Sequence, residues 1–174
     1  MSNFTNLIQT VKIMNKIFLT TVLALPILIS SMELNAQNTS GMSESKIKSE
    51  IETLMDYFFN PDHLNYQDQV ALRANQDGYI FAIDGRIIYA DYESYRSGAE
   101  ASYAKVQKFI ESKRTNSLIV ALAETAAACT TEFQSKYLNT SGDTVILNGC
   151  KTFVFKKIGD KWKIVQENGT HLNR

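Results

Sequence analysis

Beyond Lys113 the chain turns into a succession of β-rich runs separated by tight-turn residues, and this succession restricts the fold more than any other feature. Candidate strands run from Ser117 to Leu122, Ala126 to Leu138, Thr144 to Lys157 and Lys161 to Gly169, with turns at Ser141-Gly142-Asp143 and Gly159-Asp160. Strands joined this closely form an antiparallel meander. Asn148-Gly149, inside the third run, is expected to form a bulge that bends the sheet.

Two helical stripes precede the meander. Ile47, Ile51, Leu54, Met55 and Phe58 recur at the spacing of one helical face, so a helix is predicted over Ser43–Phe59, capped by Ser43 and stopped at Asn60-Pro61. Val70–Ala74 reads as one or two further turns. Tyr79–Ile83 and Arg86–Tyr89 flank Asp84-Gly85 as a β-hairpin. Asp91 then caps a second long helix, whose stripe Tyr92, Tyr95, Ala99, Tyr103, Val106, Phe109 and Ile110 carries it through Ile110, with Gly98 a candidate kink. Neither the helices nor the curved sheet can bury an apolar side alone. The expected fold is therefore α+β: two or three N-terminal helices packed on a strongly curved antiparallel sheet, a half-barrel or cone.

The first forty residues differ in kind. An apolar run from Ile17 to Ile29 follows Lys12 and Lys16, and polar Ser30, Ser31 and Glu33 come directly after it. This is the pattern of a cleaved secretory signal, too short to cross a bilayer comfortably, with Ala36 as the small residue before a cut ahead of Gln37. The expected organisation is a signal peptide over residues 1–36, of which 1–13 reads as an upstream extension before Met14. A flexible lead-in over 37–42 and one domain over 43–174 follow. The mature protein is expected in the periplasm or the medium without a permanent membrane anchor.

Eighteen basic residues balance eighteen acidic ones, so no large positive field draws in nucleic acid. An oxidising compartment permits a Cys129–Cys150 bond, while their strand-like settings favour burial as free thiols. His63 and His171 are far apart in the chain, and no His/Cys/Asp/Glu cluster has ligand spacing; no metal and no cofactor are expected.

The segment Lys151-Thr152-Phe153-Val154-Phe155-Lys156-Lys157-Ile158-Gly159-Asp160-Lys161-Trp162-Lys163-Ile164-Val165 resembles the closing hairpin of nuclear transport factor 2-like, or SnoaL-like, proteins, the cystatin-like α+β cones. The resemblance implies an aromatic pocket residue on the first helix, matched here by Tyr57. It also implies a last strand that lines the pocket after the tryptophan. Many relatives have a histidine and then a serine there, where this chain has Asn168 and Thr170. Strict alternation puts Trp162, Ile164, Gln166, Asn168 and Thr170 on the concave face and Lys163, Val165, Glu167 and His171 on the other. The expected ligand site is thus Tyr57, Trp162, Gln166 and Asn168, amide and phenol groups that bind without titrating.

Other candidates have simpler structural readings. Asp77 and Asp84 adjoin glycines and fit turns, Glu132 has the parity of an outward residue, and Tyr89, Tyr92, Tyr95 and Tyr103 fit core or rim positions. The fold hosts isomerases, dehydratases, cyclases and transport factors alike, so it does not choose a chemistry. Two readings stay open: a module binding a small apolar or aromatic ligand, or a cofactor-free lyase, isomerase or cyclase acting on a hydrophobic carbonyl compound. The catalytic residues of the second are not identifiable. Cys150, Thr152 and Val154 give the outer sheet face a low charge, which suits pairing as a homodimer.

Overall fold

The computed structural model describes residues 42–75 and 78–172. The expected signal peptide and most of the lead-in lie outside these residues, as does Asp77. The described elements are α1 (Glu44–Phe59), a 3-10 turn (Pro61–His63), α2 (Tyr66–Ala71), β1 (Ile80–Ile83), β2 (Arg86–Tyr89), α3 (Tyr92–Tyr103), β3 (Val106–Ala123), β4 (Ala126–Asn139), β5 (Thr144–Ile158) and β6 (Lys161–His171). The three helices pack on one six-stranded sheet of order β2-β1-β6-β5-β4-β3 that does not close, an α+β cone.

Local chemistry sets most boundaries. Ser43 caps α1 by accepting from the Lys46 amide, and Asn60 with Pro61 ends it and opens the 3-10 turn. Asn65 caps α2, which begins earlier than expected, at Tyr66, and ends at Ala71. Asp91 caps α3 through both the amide and the hydroxyl of Ser94, each at 2.8 Å. Gly98 leaves α3 continuous; a side chain there would meet the Tyr89 hydroxyl at 2.0 Å, so its smallness lets β2 lie against the helix.

The meander β3 to β6 is antiparallel throughout, but β1 runs parallel to β6, pairing Ile80 with Gln166 and Ile83 with Gly169, so the sheet is mixed. Three further expectations are corrected. First, the second long helix stops at Tyr103, and Val106, Phe109 and Ile110 lie in β3. Register shifts between Val106 and Lys108 and between Phe109 and Glu111 insert extra residues into β3, so Val106, Phe109 and Ser112 all reach the inner side at three-residue spacing. That spacing imitates a helix.

Second, β5 pairs regularly with β4 through Asn148 and Gly149, with no bulge there. Gly149 is required for close approach instead: an added Cβ would sit 2.5 Å from the Thr170 carbonyl oxygen and 2.7 Å from the Phe133 ring.

Third, the bulge lies in β6. Phe155 pairs with Ile164 and Val154 with Gln166, which leaves Val165 as the extra residue. Alternation therefore breaks at Val165. Trp162 and Ile164 are buried before it, whereas Glu167 and Gly169 are buried after it, and Gln166, Asn168 and Thr170 are exposed.

The core forms where α1 lies across the sheet. Ile47, Ile51, Met55, Phe58 and Phe59 pack on Ala127 and Cys129 of β4, Phe153 and Phe155 of β5, and Trp162 and Ile164 of β6. Burial of these side chains, each worth about 1.5–3 kcal/mol for the larger ones, is the main driving force. Arg114 of β3 adds a tie to α1 through Glu52 and Asp56, both at 2.6 Å.

Candidate functional site

The inner rows of the strands divide. At one stretch they are filled by α1, through Ala127, Cys129, Phe153, Phe155 and Ile164. Farther along, Phe133, Ser135 and Tyr137 of β4, Leu147 and Lys151 of β5, and His171 of β6 face a cavity of about 450 Å³. Phe81, Ile88, Tyr89, Tyr95 and Tyr103 supply aromatic and aliphatic wall from β1, β2 and α3. A volume of this size lies in the range of small-molecule sites.

A buried ionic cluster stands at the junction of core and cavity. Glu167 is fully buried; its Oε1 accepts from Arg73 Nε and from the Tyr79 hydroxyl, both at 2.7 Å, and its Oε2 accepts from Lys151 Nζ at 3.0 Å. Arg73 is carried there by backbone pairing with β6, in which the Ala74 amide donates to Ile164 and the Ile164 amide donates to Leu72, both at 2.9 Å. The Arg73 guanidinium also donates to the Gln69 carbonyl and to Gln69 Oε1, and it lies 5.0 Å over the Phe58 ring and 5.1 Å over the Tyr95 ring. Gln69 in turn donates to the Phe58 and His63 carbonyls. Among the described residues, no buried side-chain polar atom lacks a partner.

The electrostatics follow. Burial alone would raise the Glu167 carboxyl, but the charges of Arg73 and Lys151 outweigh it and hold the group at about 2. Glu167 is thus a fixed anion. Burial pushes the Tyr79 and Tyr95 phenols well above their ordinary value and Tyr103 up to about 12, so all three stay protonated.

At the rim, His171 lines the cavity while its amide donates to Asp84 Oδ1 at 2.9 Å, and its Nδ1 lies 3.3 Å from Asp84 Oδ2. The carboxylate fixes the ring's orientation. Among the described residues no group of three His, Cys, Asp or Glu side chains could hold a metal ion.

The four residues singled out from the sequence do not meet around this cavity. Tyr57 stands on the outer side of α1, 36% exposed, its ring stacked on His63 at 3.8 Å and its hydroxyl beside Asp68. Trp162 is buried in the core, donating from Nε1 to Glu50 at 2.7 Å with Lys157 over its ring. Gln166 and Asn168 are turned outward by the bulge at Val165. The expected concave face of β6 is therefore corrected beyond Ile164, where it consists of Glu167, Gly169 and His171.

Glu132 is exposed, as its parity suggested, and accepts from Asn116 at 2.7 Å. Both cysteines are free thiols. Cys150 pairs with Glu132, three positions from Cys129, a separation of about 10 Å along the strand that no disulfide spans. Burial raises the Cys129 thiol to about 11.

Of the cluster that sequence reasoning missed, Lys151 was within reach, because alternation back from Phe155 and Phe153 places it on their face. Arg73 and Glu167 gave no local signal. Arg73 sits in an isolated bridge, and Glu167 depends on the bulge.

No protein-family model matches the chain, and the comparison with curated proteins finds no match. Solved structures do match. A nuclear transport factor 2-like superfamily protein from Salmonella enterica serovar Typhimurium superposes with a TM-score of 0.63 at 17% identity, covering 75% of this chain and 94% of its own. A protein from Novosphingobium aromaticivorans, named provisionally as a scytalone dehydratase, gives 0.60 at 18% identity over 71% and 83%. A type 2 hexachlorocyclohexane dehydrochlorinase gives 0.58 at 12% over 72% and 84%. The element order, the mixed open sheet and these superpositions agree that the chain has the nuclear transport factor 2-like fold.

Proposed function

We propose that the protein is an exported small-molecule-binding domain whose site is the cavity between α3 and the inner side of β3 to β6. The carrying observation is the aromatic wall: Phe81, Tyr89, Tyr95, Tyr103, Phe109 and Phe133 surround one space of about 450 Å³. Rings on several sides favour a flat apolar or aromatic ligand. Filling the space tests this. Ala99→Leu places added volume where α3 lines the cavity, and it is expected to abolish the thermal stabilisation that aromatic ligands confer on the native protein. Asn168→Ala, on the outer face, is expected to leave that stabilisation unchanged. The reverse pattern would move the site to the residues first suggested by the sequence.

A second reading, a cofactor-free lyase or isomerase, is favoured by one feature, the His171–Asp84 pair at the cavity rim. An imidazole oriented by a carboxylate and facing a bound molecule is arranged as a general base. Two of the structurally similar proteins are named for eliminations, a dehydratase and a dehydrochlorinase. On this reading His171→Gln lowers turnover about a hundredfold or more. Binding of the same ligand with no turnover at any pH favours the first reading.

Export rests on the apolar run and Ala36, and intact-mass analysis of protein from its natural host is expected to show a chain beginning near Gln37. A cytoplasmic species retaining residues 1–36 contradicts it.

Pairing of two copies through the outer sheet face rests on rows of small and apolar residues there. Val120, Ala128 and Val154 form one row and Leu118, Thr130 and Thr152 the next, with Leu118 66% exposed. Light scattering is expected to give a dimer at micromolar concentration and a monomer for Val120→Glu. A monomeric native protein rules the dimer out.

A further inference from the structure

The cavity wall is more positive than an uncharged ligand requires. Among the described residues, its lining contains Arg73 and Lys151 but no carboxylate. Behind it, Glu167 offers a single negative charge to both cations, at 2.7 Å and 3.0 Å. Among the described residues, one positive charge is left over from this pairing.

The two cations are not equivalent. The Arg73 side chain is 4% exposed, and it is held by Glu167 and by two oxygens of Gln69. Among the described residues, Lys151, 16% exposed, donates once, to Glu167. Its ammonium otherwise lies over ring faces, 5.2 Å from the Phe81 centroid, 5.4 Å from Phe153 and 5.9 Å from Phe58. Ring faces offset part of a cation's lost hydration but offer no lone pair. The ammonium has three donors, so it retains hydrogen-bonding capacity toward the cavity.

Among the described residues, no other group on the wall neutralises it. Tyr95 and Tyr103 are held protonated by burial, and the acid at the rim, Asp84, is engaged with His171. A charge in a partly dry enclosure attracts an opposite charge more strongly than the same charge in water.

We infer that the ligand carries one anionic group, a carboxylate or comparable oxyanion, on an aromatic or apolar body, and that Lys151 Nζ is its anchor. This rests on the reading of the cavity as a binding site. The rings hold the body while the leftover charge selects the head. Glu167 positions Lys151 without touching the ligand.

Two dyes that share a skeleton test the inference on the full mature chain: 8-anilinonaphthalene-1-sulfonate and its uncharged counterpart N-phenyl-1-naphthylamine. By fluorescence titration the native protein is expected to bind the sulfonate at least about tenfold more tightly, the worth of one charge-assisted hydrogen bond. Lys151→Met keeps the apolar stem and leaves Arg73 and Glu167 as a balanced pair. It is expected to abolish that preference while the uncharged dye binds as before, and Lys151→Arg is expected to restore it.

Equal binding of both dyes by the native protein overturns the inference and leaves the cavity reading standing. So does an unchanged preference in Lys151→Met. Binding of neither dye overturns the cavity reading itself. If Lys151→Met does not fold, competition on the native protein decides: 2-naphthoate is expected to displace the uncharged dye at least about tenfold more effectively than 2-naphthamide, and equal displacement defeats the inference.

Discussion

Replacing Glu167 by Gln is expected to lower the stability of the protein by about 3–5 kcal/mol, because it leaves Arg73 and Lys151 close together and buried with no anion between them. Denaturant unfolding followed by circular dichroism measures the loss. The adjacent substitution Asn168→Ala, on the exposed side of the same strand, is expected to stay within about 0.5 kcal/mol. The contrast between neighbouring positions tests the turn of β6 at Val165, since strict alternation from Trp162 predicts the opposite order.

The Glu167 effect has a defined pH window. Its carboxyl is held at about 2 in the folded chain against an ordinary 4.5, so the folded state binds this proton less readily than the unfolded state. The stabilisation is therefore fully present above about pH 4.5 and is lost as the pH falls toward 2. The stability gap between the native protein and Glu167→Gln is expected to shrink across that interval. A gap that stayed constant from pH 6 down to pH 2 would show that Glu167 is not an ionised partner of the two cations.

Phe153→Ala is expected to cost about 3–5 kcal/mol. The Phe153 ring is fully buried, 4.9 Å edge-on to Phe58, 6.4 Å from Phe59 and 6.1 Å from Phe155, so its loss opens a void under α1 that this close packing cannot refill. Phe58 lines the cavity, and Phe153 supports it from behind. Ligand binding should therefore weaken together with stability. Phe153→Leu keeps most of the volume, so its loss should be distinctly smaller. Similar losses for both variants would mean that ring geometry, and not filled volume, matters at this position.

The elements that could be read from the sequence are those in which local chemistry and tertiary packing agree. Ser43 and Asp91 are helix caps in the folded chain, Asp84-Gly85 is a hairpin turn with both residues at positive φ, and β4 to β6 lie within a residue or two of their expected spans. The failures share one physical cause. A bulge adds a residue to one strand without requiring glycine or any other marker, so nothing in the sequence announces it.

Bulges in β3 bring Val106, Phe109 and Ser112 inward every third residue, and the apolar part of that pattern reads as the continuation of α3. The bulge at Val165 exchanges the two faces of β6, so strict alternation points to Gln166 and Asn168 where the chain turns Glu167 and His171 inward. The one bulge suggested by a glycine, at Asn148-Gly149, is regular strand; that glycine answers to the Phe133 ring and the Thr170 carbonyl. The family resemblance implies a pocket role for Tyr57, but its ring pairs with His63 on the outer side of α1. Arg73 and Glu167 lie 94 residues apart in the chain, and only the finished sheet brings them together.

The central claim, that the inner side of the sheet encloses a ligand space floored by Arg73 and Lys151 with Glu167 behind them, is tested most directly by a crystal structure of the protein grown with 2-naphthoate. The account predicts the naphthalene between Phe81, Tyr95 and Phe133, its carboxylate within hydrogen-bonding distance of Lys151 Nζ, and Gln166 and Asn168 facing away from it. An interior filled by side chains, or a naphthoate bound on the outer face beside Asn168, would contradict it.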